Sequence, residues 1–537
     1  MIIKYPNSSN ILNIDLCQMQ KNHSKSSQFY FFIHDILENQ MQINKTLFIL
    51  ILSLSILGCK DSDSSNNTTP PPNNYCDHNN IDFYDVIPCY SQSLAERPLN
   101  YSLSNSEIFE HGLLVKTYQL NSQNWSPYNK VSPQLWQHEV KIYIPSNAPK
   151  QHALLVINDG TNLDSADKNK APTNFTTAML ENIATQTNSI VVSVSNIPNQ
   201  PLTYENDSAG LLEDYNVARS WGIFLDNPMQ YKNISVHIPM TAAVSQTIRL
   251  ANQELKSFGI DQYVATGASK RGWVSWLAAI DNKEIKAVVP FVFDLLNTQK
   301  GLEHMYLSYG KNWPIAFYPY SVYDIDQNIQ TSNFTDLMKI EDPLQYQNSR
   351  YAERLKIPKY IINASGDDFY VPDSSKFYYD DLQGPKSLRV APNSNHAGIL
   401  KVAEQSLIHF LNRFQNQQSL PFISEQHTDR SLTLKFSEQP TEIKQWTATN
   451  LKDRDFRYAC NIPYIATPLN IDSNKQITIE LNQPVEGWQA TFIEATFEDG
   501  YVATSQVYIS PDDIYPTHAP TNKEDVCQSI PGRGLMP

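Results

Sequence analysis

Short β-branched runs alternate with stretches of helical period through the middle of the chain. His138 to Ile144, Ala153 to Ile157 and Ile190 to Val194 are apolar runs of strand length, and helical spacing follows at Leu212 to Leu225 and Thr241 to Phe258. A strand at 263–266, a helix from Arg271 to Ile280 and an apolar run at Ala287 to Phe293 extend the rhythm. Repeated β-then-α units predict a mostly parallel sheet with helices on both faces. Ligands of such sheets bind beyond the carboxyl ends of the strands.

Residues 297–350 break the rhythm with aromatics and prolines (Trp313-Pro314, Phe317-Tyr318-Pro319-Tyr320) and weak periodicity. They read as an insertion that covers the sheet's functional edge. The rhythm resumes with a strand at Lys359 to Asn363 and closes with a helix from about Gly398 to Phe414. Beyond Pro421 the alternation has period two at Ser431 to Phe436, Gln476 to Leu481, Trp488 to Phe497 and Val502 to Ile509. These segments predict a small antiparallel β-sandwich of immunoglobulin-like kind.

The N-terminal part behaves differently. Leu47 to Leu57 is an apolar run, shorter than the roughly 20 residues of a membrane-spanning helix. Lys45 precedes it, and Gly58-Cys59 then Lys60-Asp61-Ser62-Asp63 follow it, which is the layout of a secretory signal. The ending Ile56-Leu57-Gly58-Cys59 resembles a bacterial lipobox, with Cys59 as the acylated residue. The expected division is a leader without assigned function at 1–40, a lipoprotein signal peptide at 41–58 and a Ser/Asn/Thr/Pro-rich tether at 59–75. A hydrolase-type domain then spans 76–420, and the sandwich 421–537. The expected location is the bacterial cell envelope, anchored through lipid, or outside the cell.

Composition narrows the partners. The 537 residues carry a formal net charge of −14, and no basic run supplies the footprint that nucleic acid requires. Of the 6 cysteines, setting aside Cys17 in the leader and Cys59 leaves Cys76, Cys89, Cys460 and Cys527. An even number in an exported chain implies two disulfides. Cys76 with Cys89 and Cys460 with Cys527 is one pairing, and joining the two ends of the chain is the rival. Nothing in the pattern sets an oligomeric state.

The chemistry concentrates at Tyr263-Val264-Ala265-Thr266-Gly267-Ala268-Ser269-Lys270-Arg271-Gly272-Trp273, a strand that runs through a glycine and a serine into a helix. A serine at such a turn is presented as a nucleophile in α/β-hydrolases. It needs a base, a carboxylate to orient the base, and donors for the oxyanion. Asp367 and Asp368 follow a strand, His396 precedes the last helix, and the order Ser, Asp, His is the one this fold uses. Taken singly, each is an ordinary turn or loop residue; in this order they form a constellation. Asp367 is the expected acid, with Asp368 as alternative. The amides of Lys270 and Gly160 are the expected oxyanion donors. Lys270 and Arg271 oppose the dipole at the start of their helix, so they pair internally with Glu213 and Asp214 or meet an anionic substrate group. Arg271 and Trp273 are therefore substrate-binding candidates. Neither His-Glu-x-x-His nor cysteines at ligand spacing occur, so the expected site uses no metal and no cofactor.

Gly267-Ala268-Ser269-Lys270-Arg271-Gly272-Trp273, Asp294-Leu295-Leu296-Asn297, Gly366-Asp367-Asp368-Phe369-Tyr370-Val371-Pro372-Asp373 and Pro392-Asn393-Ser394-Asn395-His396 resemble blocks of the PhoPQ-activated pathogenicity-related proteins. Pro239-Met240 and Glu213-Asp214 resemble further blocks. The resemblance implies an α/β-hydrolase fold and favours Asp367, because Asp-Glu stands in the family where this chain has Asp367-Asp368. Asp159 replaces one of a pair of glycines usual in the family, which bears on the second oxyanion donor. The expected activity is hydrolysis of a small ester or a peptide through an acyl-enzyme. The alternative is an inactive hydrolase scaffold that binds or signals outside the cell in virulence.

Overall fold

The computed structural model describes Cys76 and residues 81–535 apart from 110–111, 149–151, 163–171 and 472 with its neighbour 471, together with a two-stranded antiparallel pairing of Ile2–Ile3 with Leu12–Asn13. The proposed signal peptide, Cys59 and the tether lie outside the described residues. Tyr75–Pro537 form one compact unit.

In chain order the elements around the main sheet are α1 (Val86–Ala95), β1 (Asn100–Ile108), β2 (Leu114–Asn124), β3 (Leu135–Ile144), β4 (Ala153–Ile157), α2 (Thr177–Thr187) and β5 (Val191–Val194). They continue as α3 (Asp214–Asp226), α4 (His237–Glu254), β6 (Tyr263–Ala268), α5 (Lys270–Asp281), β7 (Ile285–Phe291), α6 (Thr298–Ser308), α7 (Ser332–Glu341), β8 (Lys359–Ala364), β9 (Lys386–Ala391) and α8 (Leu400–Gln415). The nine strands pair in the order β9-β8-β7-β6-β4-β5-β3-β2-β1. The pairings from β9 through to β5 are parallel, and those among β5, β3, β2 and β1 are antiparallel.

Strands β4 and β6 are buried at every position, as expected where helices cover both faces of a sheet. Successive residues of β6 supply opposite faces: Tyr263 and Ala265 pack in one core cluster, Val264 and Ala268 in the other. Strand β1 escapes any hydrophobic pattern because nearly all of Asn-Tyr-Ser-Leu-Ser-Asn-Ser-Glu-Ile is exposed on the sheet's edge. The chain leaves β4 toward β5 on one side and returns to β6 on the other. The order therefore reverses between β4 and β6, where ligands of such sheets settle. This is the α/β-hydrolase arrangement.

After Pro421 two antiparallel sheets follow. One joins β10 (Ile423–Thr428), β11 (Ser431–Phe436) and Gln476–Glu480; the other is built on Glu442–Asn450 and Trp488–Thr496, with Ile465–Leu469, Val502–Thr504 and Tyr508–Ser510 beside them. Leu432, Leu434 and Phe436 from the first meet Ile443, Ile493 and Ala495 from the second in one apolar cluster, which makes a β-sandwich. The same cluster includes Leu407 and Phe410 of α8 and Ile362 of β8, so the sandwich and one face of the large sheet share a core. Disulfides join Cys76 to Cys89 and Cys460 to Cys527. A final strand, Ser529–Pro531, pairs with Asn312–Pro314 in the insertion.

Within 297–350, weak periodicity conceals two helices of ordinary length, α6 and α7. Phe334 and Leu337 of α7, and Leu302 and Met305 of α6, are buried, but intervening short turns interrupt the spacing.

Candidate active site

Ser269 stands between β6 and α5 at φ 58°, ψ −128°, a conformation that non-glycine residues adopt only when their surroundings enforce it. Two glycines make the enforcement possible. A Cβ on Gly267 would lie 2.4 Å from the carbonyl oxygen of Arg271, and one on Gly272 would lie 2.9 Å from that of Phe291 and 3.0 Å from that of Gly267. The closely packed glycine on the helix side is Gly272, while Arg271 contributes its carbonyl oxygen and Cβ to the contact with Gly267. The Ser269 amide donates to the Phe291 carbonyl at 2.8 Å, locking the turn to β7.

His396 lies in the loop before α8, and its Nδ1 is 2.9 Å from Oδ2 and 3.0 Å from Oδ1 of Asp367. Asp367 follows β8 and is buried; its Oδ1 also accepts the amides of Phe369 at 2.8 Å and Tyr370 at 3.2 Å. Burial lowers the His396 pKa, but the Asp367 charge and hydrogen bond outweigh it, and the net direction is upward. Asp368 lies against the His396 amide, and burial followed by the Asp367 charge raises its pKa.

Ser269, Lys270, Trp273, Asp368 and His396 line one cavity of about 360 Å³. Its remaining walls are mostly aromatic and apolar, including Trp221, Phe317, Tyr320, Phe369 and Tyr370. Phe317 and Tyr320 stack at 5.1 Å, and Phe369 packs against both. Among the described residues Ser269 Oγ makes no hydrogen bond to His396; such bonds are often long in an empty site and tighten around substrate.

The two cations after Ser269 are compensated internally. Lys270 Nζ sits 2.8 Å from Glu213 Oε2 and 3.3 Å from Asp214 Oδ2. Arg271 is buried; its Nη2 reaches Glu213 Oε1 and its Nε donates to the Ile197 carbonyl, both at 2.6 Å. Burial alone would raise the Glu213 pKa, yet Lys270 and Arg271 hold it far below the usual carboxylate range. Arg271 is not among the cavity's lining residues, and neither is Gly160. Gly160 has φ 136° and follows β4, whose Ile157 pairs with Gly267; a Cβ there would overlap Asn196 Oδ1 at 2.2 Å. Trp273 stacks on Phe293 at 4.6 Å and donates from Nε1 to the Glu341 carbonyl, so it forms fixed wall.

The segment after the sandwich's third strand, Glu442–Asn450, supports this site in a way no local pattern announces. The Tyr458 amide donates to the Gly366 carbonyl at 3.1 Å, one residue before Asp367. Asn393, three residues before His396, exchanges hydrogen bonds with the Tyr464 main chain at 2.9 and 2.7 Å. Arg454 is wholly buried, with Nη2 2.7 Å from Asp373 Oδ2 and Nη1 2.8 Å from Ser308 Oγ. The sandwich thereby braces both loops that carry Asp367 and His396.

A parallel-sheet fold with a serine elbow and an aspartate-held histidine at its switch point defines the class as α/β-hydrolase. Within it, the family described as PhoPQ-activated pathogenicity-related protein matches residues 87–457, and the chain belongs to that family. Autocrine proliferation repressor protein A of Dictyostelium discoideum is 29% identical over 431 residues, which are 74% of this chain and 85% of that protein. Among solved structures, acetyl xylan esterase 1 from a Thermoanaerobacterium species aligns at TM-score 0.39 and 17% identity, over 61% of this chain and 93% of that one. An acetyl xylan esterase from a Paenibacillus species aligns at TM-score 0.40 and 14% identity, over 61% and 92%.

Proposed function

We propose that the chain is a serine hydrolase that cleaves an ester or amide through an acyl-enzyme. Ser269 Oγ attacks the carbonyl carbon as His396 Nε2 takes its proton, and Asp367 holds the imidazole with Nδ1 protonated. The proton passes to the departing alcohol or amine as its bond to carbon breaks. Water, activated by His396, then releases the acid and restores Ser269. The amide of Lys270, in the first turn of α5 where helix donors lack partners, receives the oxyanion, and Gly160, which does not line the cavity, is given no part in it. The observation that carries this reading is the shared cavity: a serine held at φ 58° and a histidine already bound to a buried aspartate face the same space.

The two disulfides suit an oxidising compartment, and no helix among the described residues is long and apolar enough to cross a membrane. An extracellular or cell-envelope protein, tethered by lipid at Cys59, accords with both. A second reading draws support from the Dictyostelium relative, whose name is that of a proliferation repressor: the scaffold signals or binds without catalysis. A fluorophosphonate probe separates the two. Labelling of folded protein that vanishes in Ser269→Ala supports the hydrolase, whereas absence of labelling supports the second reading.

A further inference from the structure

The cavity that Ser269 and His396 share has a volume of about 360 Å³. An apolar protein cavity of about 150 Å³ takes up benzene, and this one is more than twice as large. Whatever is attached to the scissile bond must occupy that space, so the walls select the substrate. Trp221, Trp273, Leu295, Leu302, Phe317 and Phe369 are among them, joined by Ala316 and Ala397. Trp273, Leu295, Leu302 and Phe317 are buried, whereas Ala316 and Phe369 are half-buried and Ala397 is exposed. The cavity therefore has an open rim beside His396 and an apolar floor.

The charged groups on the cavity are already engaged within the protein. Lys270 lies between Glu213 and Asp214, and Asp214 Oδ1 also accepts from the Tyr320 hydroxyl at 3.2 Å. His396 is held by Asp367, and Asp368 has the His396 amide and the Arg457 charge beside it. Trp273 gives its ring N–H to the Glu341 carbonyl. A charged group brought in with the substrate would give up its water and find these partners spent, which is costly. An apolar group meets no such penalty and gains about fourfold for each methylene removed from water.

We propose that the substrate carries, on its acyl carbon or on its ester oxygen, an uncharged apolar group at least as large as a phenyl ring, and that this group fills the cavity against Phe317, Phe369 and Trp273. This rests on Ser269 being the nucleophile. The substrates are thus esters of hydrophobic acids or of hydrophobic alcohols, and the bonds made and broken are those of the acyl-enzyme route above.

The test follows acid release in a pH-stat, each kcat/KM divided by that ester's own hydroxide-catalysed rate. One arm lengthens the acyl group: methyl acetate, butanoate, hexanoate and 3-phenylpropanoate. The other lengthens the alcohol: methyl, propyl, pentyl and benzyl acetate. The normalised rate is expected to rise on the order of 10²-fold along one arm, at about fourfold per methylene, and that arm identifies the side of the bond that enters. Monomethyl adipate and methyl 6-aminohexanoate, or the matching charged alcohol esters, are expected to run at least 10-fold below their uncharged counterpart. Ala316→Trp, which narrows the cavity, and Phe369→Ala, which removes a wall, are each expected to lower the ratio of longest to shortest ester. Equal rates or no turnover along both arms, with Ser269 still labelled by fluorophosphonate, overturn the proposal and leave the hydrolase reading standing. Charged esters that match the uncharged ones, or a ratio that survives in both variants, also overturn it. No turnover and no labelling overturn both.

Discussion

Asp367→Asn exposes how the site depends on one proton's position. Oδ1 of Asp367 accepts two main-chain amides, from Phe369 at 2.8 Å and Tyr370 at 3.2 Å, while Oδ2 is the nearer oxygen to His396 Nδ1 at 2.9 Å. An asparagine keeps its carbonyl where the two amides point and so presents its NH₂ to Nδ1. Nδ1 must then accept, the ring proton moves to Nε2, and the nitrogen facing Ser269 no longer takes a proton. The expected loss in kcat is about 10⁴-fold, the size of the effect when the same exchange inverts the tautomer in serine proteases, or about 5.5 kcal/mol. Stability should change by less than about 2 kcal/mol, since one hydrogen bond is replaced and a buried charge removed. The pH profile supplies a second reading. His396 acts as base only when neutral, and in the native chain Asp367 lifts its pKa against burial. The acid limb of kcat/KM should therefore lie above the ordinary histidine value of about 6.5. In the variant burial and the Lys270 charge lower it against the Asp214 charge alone, and the limb should move below that value. The assay is ester hydrolysis from pH 4 to 9 alongside urea unfolding. A variant that keeps more than a tenth of native activity, or whose acid limb stays in place, refutes the reasoning.

Three further outcomes follow from the packing. Gly267→Ala places a methyl 2.4 Å from main-chain oxygen, so the elbow must move; displacement of about 1 Å costs on the order of 10²-fold in rate, measurable as kcat/KM on protein whose circular dichroism is native. Arg454→Met takes the buried guanidinium from the Asp373 carboxylate, which is 1% exposed and keeps His304 at 2.9 Å and Lys376 at 3.0 Å, and should reduce the unfolding free energy by up to about 3 kcal/mol, less than for a charge left with no partner. Removing the Cys460–Cys527 bridge, whose cysteines stand 67 positions apart, should destabilise by about 4 kcal/mol in the loop-entropy account. Removing Cys76–Cys89, separated by 13, should cost about 3 kcal/mol, and urea midpoints for both serine pairs check the order.

The parts of this fold written in local pattern are legible from the chain alone. The apolar run through Tyr263–Ala268 is continuous because both faces of β6 are covered, and the glycine at 267 is needed because main chain approaches within a side chain's radius. Leu432, Leu434 and Phe436 alternate because only one face of their strand is buried. The remainder depends on contacts distant in sequence. Glu213 sits at φ 48° beneath two cations more than fifty residues later, separated by 57 and 58 positions, and only the fold shows that Arg271 is turned toward it and away from the cavity lining. The aromatics at 313–320 have no period, yet Phe317 and Tyr320 become cavity wall because Tyr320 packs edge-on against Trp221 of α3 and both rings meet Phe369. The bracing of Gly366 and Asn393 by Tyr458 and Tyr464 joins segments about 70 to 90 positions apart, through a main-chain hydrogen bond at Gly366 and the Asn393 side-chain amide on the Tyr464 main chain, and neither partner is marked in the local sequence.

The central claim is that Ser269 becomes acylated. Intact-mass measurement of the chain mixed with a slowly released ester, followed by peptide mapping, tests it directly. The account predicts one acyl group per chain, on the peptide that contains Ser269, and its absence in Ser269→Ala. Turnover with the acyl group on another residue, or an adduct that persists in Ser269→Ala, contradicts it.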